Sequence, residues 1–292
     1  MENAVFMERI EKQAYAKINL GLDVLRRRED GYHEVKMIMQ TVGICDTLTF
    51  IKKESPGIIL KTNREDLSTG EDNLICRAAE LLFHEAGLTQ GVEIYLQKRI
   101  PIAAGMAGGS TDAAAALSGL NELFSLGYSL EKLQSFGVTL GADIPYCLMG
   151  GTALSEGIGE ILSRLPAPPQ CSLLIVKPDI SVSTKFVYEN LRLDSHSIHP
   201  DIDGMVDALK AGSLKGITDR LGNVLETVTT KEYPVIDTIK GLMRESGAQG
   251  VLMSGSGPTV FGIFEREESA RMAAERMKEQ TPAAEVFVTE FV

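Results

Sequence analysis

The clearest chemistry in this sequence lies in Pro101-Ile102-Ala103-Ala104-Gly105-Met106-Ala107-Gly108-Gly109-Ser110-Thr111-Asp112-Ala113. The stretch follows an alternating apolar run at 92–96 and leads into an Ala- and Leu-rich run at 110–124. The order is therefore strand, glycine-rich loop, helix. Such a junction suits an anion. Glycines let backbone N–H groups turn toward a phosphate without obstruction by a Cβ. The first turn of the new helix adds unpaired N–H groups and the positive end of its dipole. Ser110 and Thr111 add hydroxyls for phosphate oxygens or a metal-bound water. Small residues that merely allow close helix packing are the plainer reading, but here glycines, a hydroxyl pair and a helix start coincide. The loop has no Lys, so it is not a GxxxxGK[ST] phosphate loop, and it lacks the GxGxxG dinucleotide fingerprint.

Other residues carry chemistry less decisively. Asp143, in Leu140-Gly141-Ala142-Asp143-Ile144-Pro145, is a carboxylate among small and apolar residues. It reads either as an N-cap before Pro145 or as a general base. Lys17 sits in an apolar strand pattern, where a solvent-facing lysine is the ordinary reading. The segment Asp30-Gly31-Tyr32-His33 is a turn, and His33 by itself is a turn histidine. His196 and His199 have metal-ligand spacing but no third ligand, so no protein-held metal is expected. Cys45, Cys76, Cys147 and Cys171 form no CxxC and no zinc-like spacing; they read as buried reduced thiols.

The elements that must position these residues follow from periodicity and punctuation. Strands are expected over 13–25, 35–42, 47–51 and 92–96. Asp72 is placed to cap a helix over 73–86, and Ser129 one reaching 140. A turn at Gly150-Gly151 leads into another strand. Pro166-Ala167-Pro168-Pro169 continues neither a helix nor a central strand, so it marks a boundary between domains 1–166 and 170–292. Beyond it, a strand is expected over 171–176 and helices near 184–191, 201–211, 216–230 and 234–246. Two strands around a Gly-Ser-Gly turn, a helix over 267–278 and a strand over 286–289 complete the pattern. Strands and helices mix without strict alternation, which predicts an α+β class.

Composition limits the function classes. The chain has 292 residues, a net charge of −11 and 44% hydrophobic residues, which excludes disorder as its general state. Both halves are net acidic, which argues against a nucleic-acid binder. The N-terminus is acidic early and shows no signal-peptide core, and the longest nearly uncharged stretch, 101–120, is a poor membrane span. A cytoplasmic protein bound to neither membrane nor nucleic acid is expected. Oligomeric state is open between monomer and homodimer.

The glycine-rich loop resembles the second motif of the GHMP kinases. Ala14-Tyr15-Ala16-Lys17-Ile18-Asn19-Leu20 resembles the family's first motif, and Met253-Ser254-Gly255-Ser256-Gly257-Pro258-Thr259-Val260-Phe261 its third. The three occur in the family's order. The resemblance implies a two-domain fold: an N-terminal α+β domain with a left-handed βαβ crossover that binds ATP, and a C-terminal ferredoxin-like domain. Lys17-Ile18-Asn19-Leu20-Gly21-Leu22-Asp23-Val24, Asp30-Gly31-Tyr32-His33, Glu71-Asp72-Asn73-Leu74 and Gly141-Ala142-Asp143-Ile144-Pro145 are similar to one branch of that family. It phosphorylates the 2-hydroxyl of a cytidine-diphosphate-linked methylerythritol in the non-mevalonate route to isoprenoid precursors. A homoserine- or mevalonate-type kinase is the alternative. Met106 and Thr111 depart slightly from the pattern, where Leu and Ser are usual.

The resemblance also implies roles. Asp143 matches the catalytic base and also touches substrate, and Lys17 matches its partner. Asn73, Lys98, Pro101, Ala104, Gly105, Met106, Ala107, Gly108, Gly109, Ser110 and Thr111 fall on the ATP side. Asn19, Tyr32, His33, Thr184 and Tyr188 fall on the substrate side, with the aromatic rings flanking the cytosine. ATP is the donor, and Mg²⁺ is expected on its β- and γ-phosphates, held largely by ATP and water. The third motif is expected to close over phosphates and substrate.

Overall fold

The computed structural model describes residues 8–194 and 197–292. The N-terminal residues read above for a leader and His196 lie outside them. In chain order the first elements are β1 (Arg9–Arg27), β2 (His33–Lys53), β3 (Gly57–Thr62), α1 (Leu74–Ala86), β4 (Gly91–Gln97), α2 (Gly108–Leu123), α3 (Leu130–Leu140) and α4 (Ile144–Met149). Then come β5 (Thr152–Glu156), β6 (Ile161–Leu165), β7 (Ser172–Lys177), α5 (Thr184–Asn190), α6 (Ile202–Lys210), α7 (Leu214–Thr218) and β8 (Gly222–Asn223). The last are α8 (Glu226–Glu232), α9 (Val235–Glu245), β9 (Gly250–Met253), β10 (Val260–Phe264), α10 (Glu267–Gln280) and β11 (Glu285–Glu290). No helix among the described residues is long and apolar enough to cross a membrane.

The chain forms two compact units. Of the described residues, the first holds those up to Ala16, Cys45–Ile100 and Ala107–Met149; the second holds Lys17–Ile44, Pro101–Met106 and those from Gly150 to Val292. β1 and β2 each contribute residues to both.

In the first unit β3 pairs in parallel with β4, with α1 as their connection, and β4 pairs antiparallel with residues 47–53 of β2. The helices cover this sheet. Leu48, Phe50, Val92, Ile94 and Leu96 pack with Ile75, Ala79 and Leu82 of α1 and with Ala113, Ala116, Leu117 and Leu120 of α2. α2 is buried nearly all round because its residues are small; replacing Leu120 by Ala would cost about 2–5 kcal/mol.

In the second unit β2 pairs with β5 over Met37–Gln40, β5 pairs with β6, and Gly21 and Leu22 of β1 lie parallel to β8. A separate four-stranded antiparallel sheet has the order β11-β7-β10-β9. Counted within that sheet the order is 4-1-3-2, the ferredoxin-like arrangement that the resemblance implied. Residues 166–169 are the irregular link between β6 and β7, inside this unit.

Several elements depart from expectation for local reasons. The strands expected at 35–42 and 47–51 are one 21-residue strand. Asn73, not Asp72, caps α1, accepting the Ile75 N–H at 2.9 Å. The helix expected over 216–230 is broken by Gly222 and Asn223, which pair with β1 instead. Ser129 caps α3 as expected.

Candidate active site

The glycine loop ends in α2, whose first two residues are Gly108 and Gly109. Ala107 precedes them at φ 56 and no side chain caps the helix. The first intrahelical bond runs from the Thr111 N–H to the Ala107 carbonyl at 2.9 Å. The N–H groups of Gly108, Gly109 and Ser110 therefore have no helix partner. Left-handed backbone occurs at Ala103, Gly105 and Ala107, not at Gly108 or Gly109. Gly108 is small for another reason: a Cβ there would lie 3.0 Å from Lys98 Nζ and 3.1 Å from Ile100 Cγ2. The Thr111 hydroxyl, expected to face phosphate, instead donates to the Tyr15 carbonyl at 2.8 Å.

Lys98 is buried. Its ammonium lies 2.5 Å from Asp46 Oδ2 and 2.6 Å from Asp112 Oδ2, while Asp46 Oδ1 accepts the N–H groups of Arg99 and Ile100. This lysine thus ties the entrance of the loop to the second turn of α2. Asn63 brackets the same residue, accepting the Lys98 N–H at 2.8 Å and donating to its carbonyl at 3.2 Å. The Asn73 side chain spans its own turn, capping α1 and donating to the Ser68 carbonyl at 2.6 Å. Asp143 is the residue just before α4, and its carbonyl accepts the Cys147 N–H. All of these belong to the first unit.

In the second unit β1 is buried on both faces from Lys17 to Val24. Lys17, Asn19, Gly21 and Asp23 share one face by the two-residue strand period. Lys17 is therefore 6% exposed rather than solvent-facing. Its ammonium donates to Asn19 Oδ1 at 2.9 Å, and its N–H donates to the Met106 carbonyl at 3.2 Å. Gly105 has φ 70, and a Cβ there would lie 2.5 Å from the Ser254 carbonyl oxygen. Ser254 Oγ donates to the Gly105 carbonyl at 3.0 Å. Thr184 Oγ1 and Ser256 Oγ are 2.8 Å apart. Glycine loop and third motif thus meet through backbone.

The aromatic residues are also in this unit. The rings of His33 and Tyr188 pack with centroids 4.9 Å apart. Burial, helped by the charge of Arg27, holds the His33 imidazole below its ordinary value, so it is neutral at pH 7. Tyr32 is 60% exposed in a turn closed by its N–H on Asp30 Oδ1. The structure brings together His33 with Tyr188, Lys17 with Asn19 and Thr184 with the third motif. Lys17 and Asp143 belong to different units.

Asp46, Asn63 and Asn223 escaped the sequence reading. Asp46 and Asn63 leave no local signal, since they act on Lys98 from far along the chain. Asn223 had one, a Gly-Asn pair inside a helical pattern. Among the four free thiols, Cys76 and Cys171 are buried and Cys45 and Cys147 half-buried. Burial pushes the Cys171 thiol up to about 12. Among the described residues no group of three or more His, Cys, Asp and Glu side chains is arranged to hold a metal ion.

Comparison with known proteins identifies this geometry. The GHMP kinase N-terminal domain model matches residues 73–151 and the GHMP kinase C-terminal model matches residues 205–283. The chain belongs to the GHMP kinase family, a family of phosphotransferases. It is 52% identical over 285 residues to 4-diphosphocytidyl-2-C-methyl-D-erythritol kinase of Lachnoclostridium phytofermentans, covering 98% of each chain. It is 45% identical over 286 residues to the enzyme of that name from Acetivibrio thermocellus, covering 98% of this chain and all of the other. A crystal structure of 4-(cytidine 5'-diphospho)-2C-methyl-D-erythritol kinase matches with a TM-score of 0.83 and 35% identity, covering 97% of this chain and 99% of that one. Homoserine kinase from Cytophaga hutchinsonii shares the fold, with a TM-score of 0.79 at 21% identity over 99% of this chain and 96% of the other.

Proposed function

We propose that this protein transfers the γ-phosphate of ATP to the 2-hydroxyl of 4-diphosphocytidyl-2-C-methyl-D-erythritol, a step in the non-mevalonate route to isoprenoid precursors. The observation that carries the choice of substrate is the His33–Tyr188 ring pair. A tyrosine ring packed at 41° against an imidazole offers an aromatic face and a hydrogen-bonding edge, which serve a cytosine and have no use for a small alcohol such as homoserine or mevalonate. Near-full-length identity to kinases named for that substrate supports the same reading.

The uncapped first turn of α2 fits the phosphates of ATP, because its N–H groups have no partner within the helix. Gly108, Gly109 and Ser110 hold them, and the loop from Pro101 through Ala104, Gly105, Met106 and Ala107 shapes the approach. Asn73, Lys98 and Thr111 contribute through the turns they fix. Mg²⁺, when bound, would neutralise charge on the triphosphate; no cluster of His, Cys, Asp and Glu side chains among the described residues is arranged to hold it, so ATP and water would supply its ligands. Asp143 accepts the proton of the attacking hydroxyl. Lys17, desolvated and steadied by Asn19, sets a positive charge at the reacting oxygen. Tyr32 covers the open side of the base, and Thr184 binds the substrate from the start of α5. Residues 1–166 form the ATP-binding, catalytic domain and 170–292 the C-terminal one; the protein acts in the cytoplasm as a monomer or homodimer, apart from membrane and nucleic acid.

The test is ADP release with a panel of acceptors. Turnover with the cytidyl-linked alcohol, and none with homoserine or mevalonate, is expected. The reverse preference would overturn the substrate assignment.

A further inference from the structure

The third-motif turn, Ser254 to Gly257, has left-handed backbone at Gly255 and Gly257 and few side-chain atoms of its own to hold it. Three side chains outside every motif grip it. Asn223 donates from Nδ2 to the carbonyls of Met253 at 2.9 Å and Gly255 at 2.7 Å, while its Oδ1 accepts the Leu225 N–H at 3.0 Å. Glu226 accepts the Met253 N–H at 2.9 Å, and its other oxygen receives the buried Lys240 ammonium at 2.7 Å. The Thr229 hydroxyl shares its hydrogen between the carbonyls of Ser256 at 3.1 Å and Leu225 at 3.2 Å. Asn223 is 6% exposed and Thr229 fully buried.

These bonds occupy the backbone groups on one side of the turn. Among the described residues, the N–H groups of Gly255 and Ser256 have no acceptor in the protein. The side chains of the turn lead toward the proposed site: Ser254 to the Gly105 carbonyl and Ser256 to Thr184. A Cβ on Gly255 would lie 3.1 Å from that same Gly105 carbonyl and 3.7 Å from Asn19 Oδ1. The turn is thus packed against the residue that steadies Lys17.

We infer that Asn223, Glu226 and Thr229 form a positioning layer for phosphoryl transfer. They touch no substrate. They set the height of the third-motif turn and, through it, of Gly105 and Asn19, and they leave the Gly255 and Ser256 N–H pair free to face a developing negative charge. The bonds to Met253, Gly255 and Ser256 hold the turn by its backbone, so losing one lets the turn shift while the fold stays. The inference rests on the kinase reading above.

Thr229→Val keeps the shape and removes the hydroxyl. Asn223→Asp keeps the shape and puts a carboxylate oxygen against two carbonyls. Turnover should fall about 10-fold in the first and about 100-fold in the second, the scale of a misplacement of about 1 Å at a reacting centre. KM for the cytidyl-linked alcohol should stay within about twofold, because the loss is confined to the transition state. Thr229→Ser, which keeps the hydroxyl, should restore turnover. Calorimetry on each variant reads the fold. If Asn223→Asp does not fold, Thr229→Val decides. A folded Thr229→Val with parental turnover, a loss appearing only in KM for the alcohol, or a Thr229→Val that does not fold would each overturn the inference, the last by showing a purely structural role. A parent protein without turnover on the cytidyl-linked alcohol would contradict the kinase reading itself, a separate result.

Discussion

The ammonium of Lys98 lies 2.6 Å from Asp112 Oδ2, a buried contact at the second turn of the helix that follows the glycine loop. Asp46 takes the same ammonium from the other side, which leaves two buried carboxyl groups facing one cation. The second oxygen of Asp112 has no partner. Burial pushes the Asp112 carboxyl up to about 8, with Lys98 opposing the rise and Asp46 adding to it.

The sign of the pH dependence follows. The unfolded chain releases this proton near pH ~4 and the folded protein retains it to pH 8 or so. Between those values the native state binds the extra proton, and stability falls as pH rises. Asp112→Asn removes the titration. The Tm of the parent relative to this variant should therefore decline steadily from pH 5 to pH 8.5. A constant difference over that range would contradict the assignment.

Asp143→Asn keeps the size of the side chain but cannot take the hydroxyl proton. Turnover should drop by roughly two to four orders of magnitude, with ATP affinity nearly unchanged. Single-turnover kinetics with equilibrium binding of an ATP analogue separates the two quantities. Near-normal turnover would remove Asp143 from the role.

Tyr188→Ala and His33→Ala should each weaken the cytidyl substrate by about 1–3 kcal/mol, the scale of a lost stacking partner. ATP binding should barely change. Because burial holds the His33 imidazole below its ordinary value, substrate affinity should be flat from pH 8 down to 7 and fall only in more acidic solution. Titration calorimetry reads both effects. A loss of ATP affinity in place of substrate affinity would mean that the two nucleotides have been exchanged.

Two glycines of the loop should behave differently. Gly105→Ala forces a side chain onto a left-handed backbone and toward the Ser254 carbonyl, so it should cost at least about 1 kcal/mol in stability as well as activity. Gly109→Ala meets only Leu74, at an ordinary 3.6 Å. It should keep the parental Tm and lose ATP affinity alone, because its new methyl stands among the free N–H groups. Unchanged ATP binding in Gly109→Ala would mean that phosphate does not approach there.

The sequence made the strand–loop–helix junction and the Ser129 cap legible because each depends on neighbours within a few residues. Lys98 was harder. The resemblance places it on the ATP side, but its sequence surroundings do not show that its ammonium is held by Asp46, a residue 52 positions away that no local pattern connects to it. Lys17 looked like a surface lysine because an alternating strand does not reveal whether its second face is covered. The helix expected over 216–230 failed at Gly222 and Asn223, where pairing to β1 and the hold of Asn223 on the third-motif turn outweigh helical propensity.

The central claim, transfer of phosphate to the cytidyl-linked alcohol, is tested most directly by ³¹P NMR of the product. Parent protein, ATP, Mg²⁺ and 4-diphosphocytidyl-2-C-methyl-D-erythritol should yield a new phosphomonoester resonance without three-bond coupling to a proton, as the tertiary carbon 2 of the sugar alcohol requires, with one equivalent of ADP and an intact cytidine diphosphate. ADP formed without that monoester, or a monoester at another hydroxyl, would contradict the account.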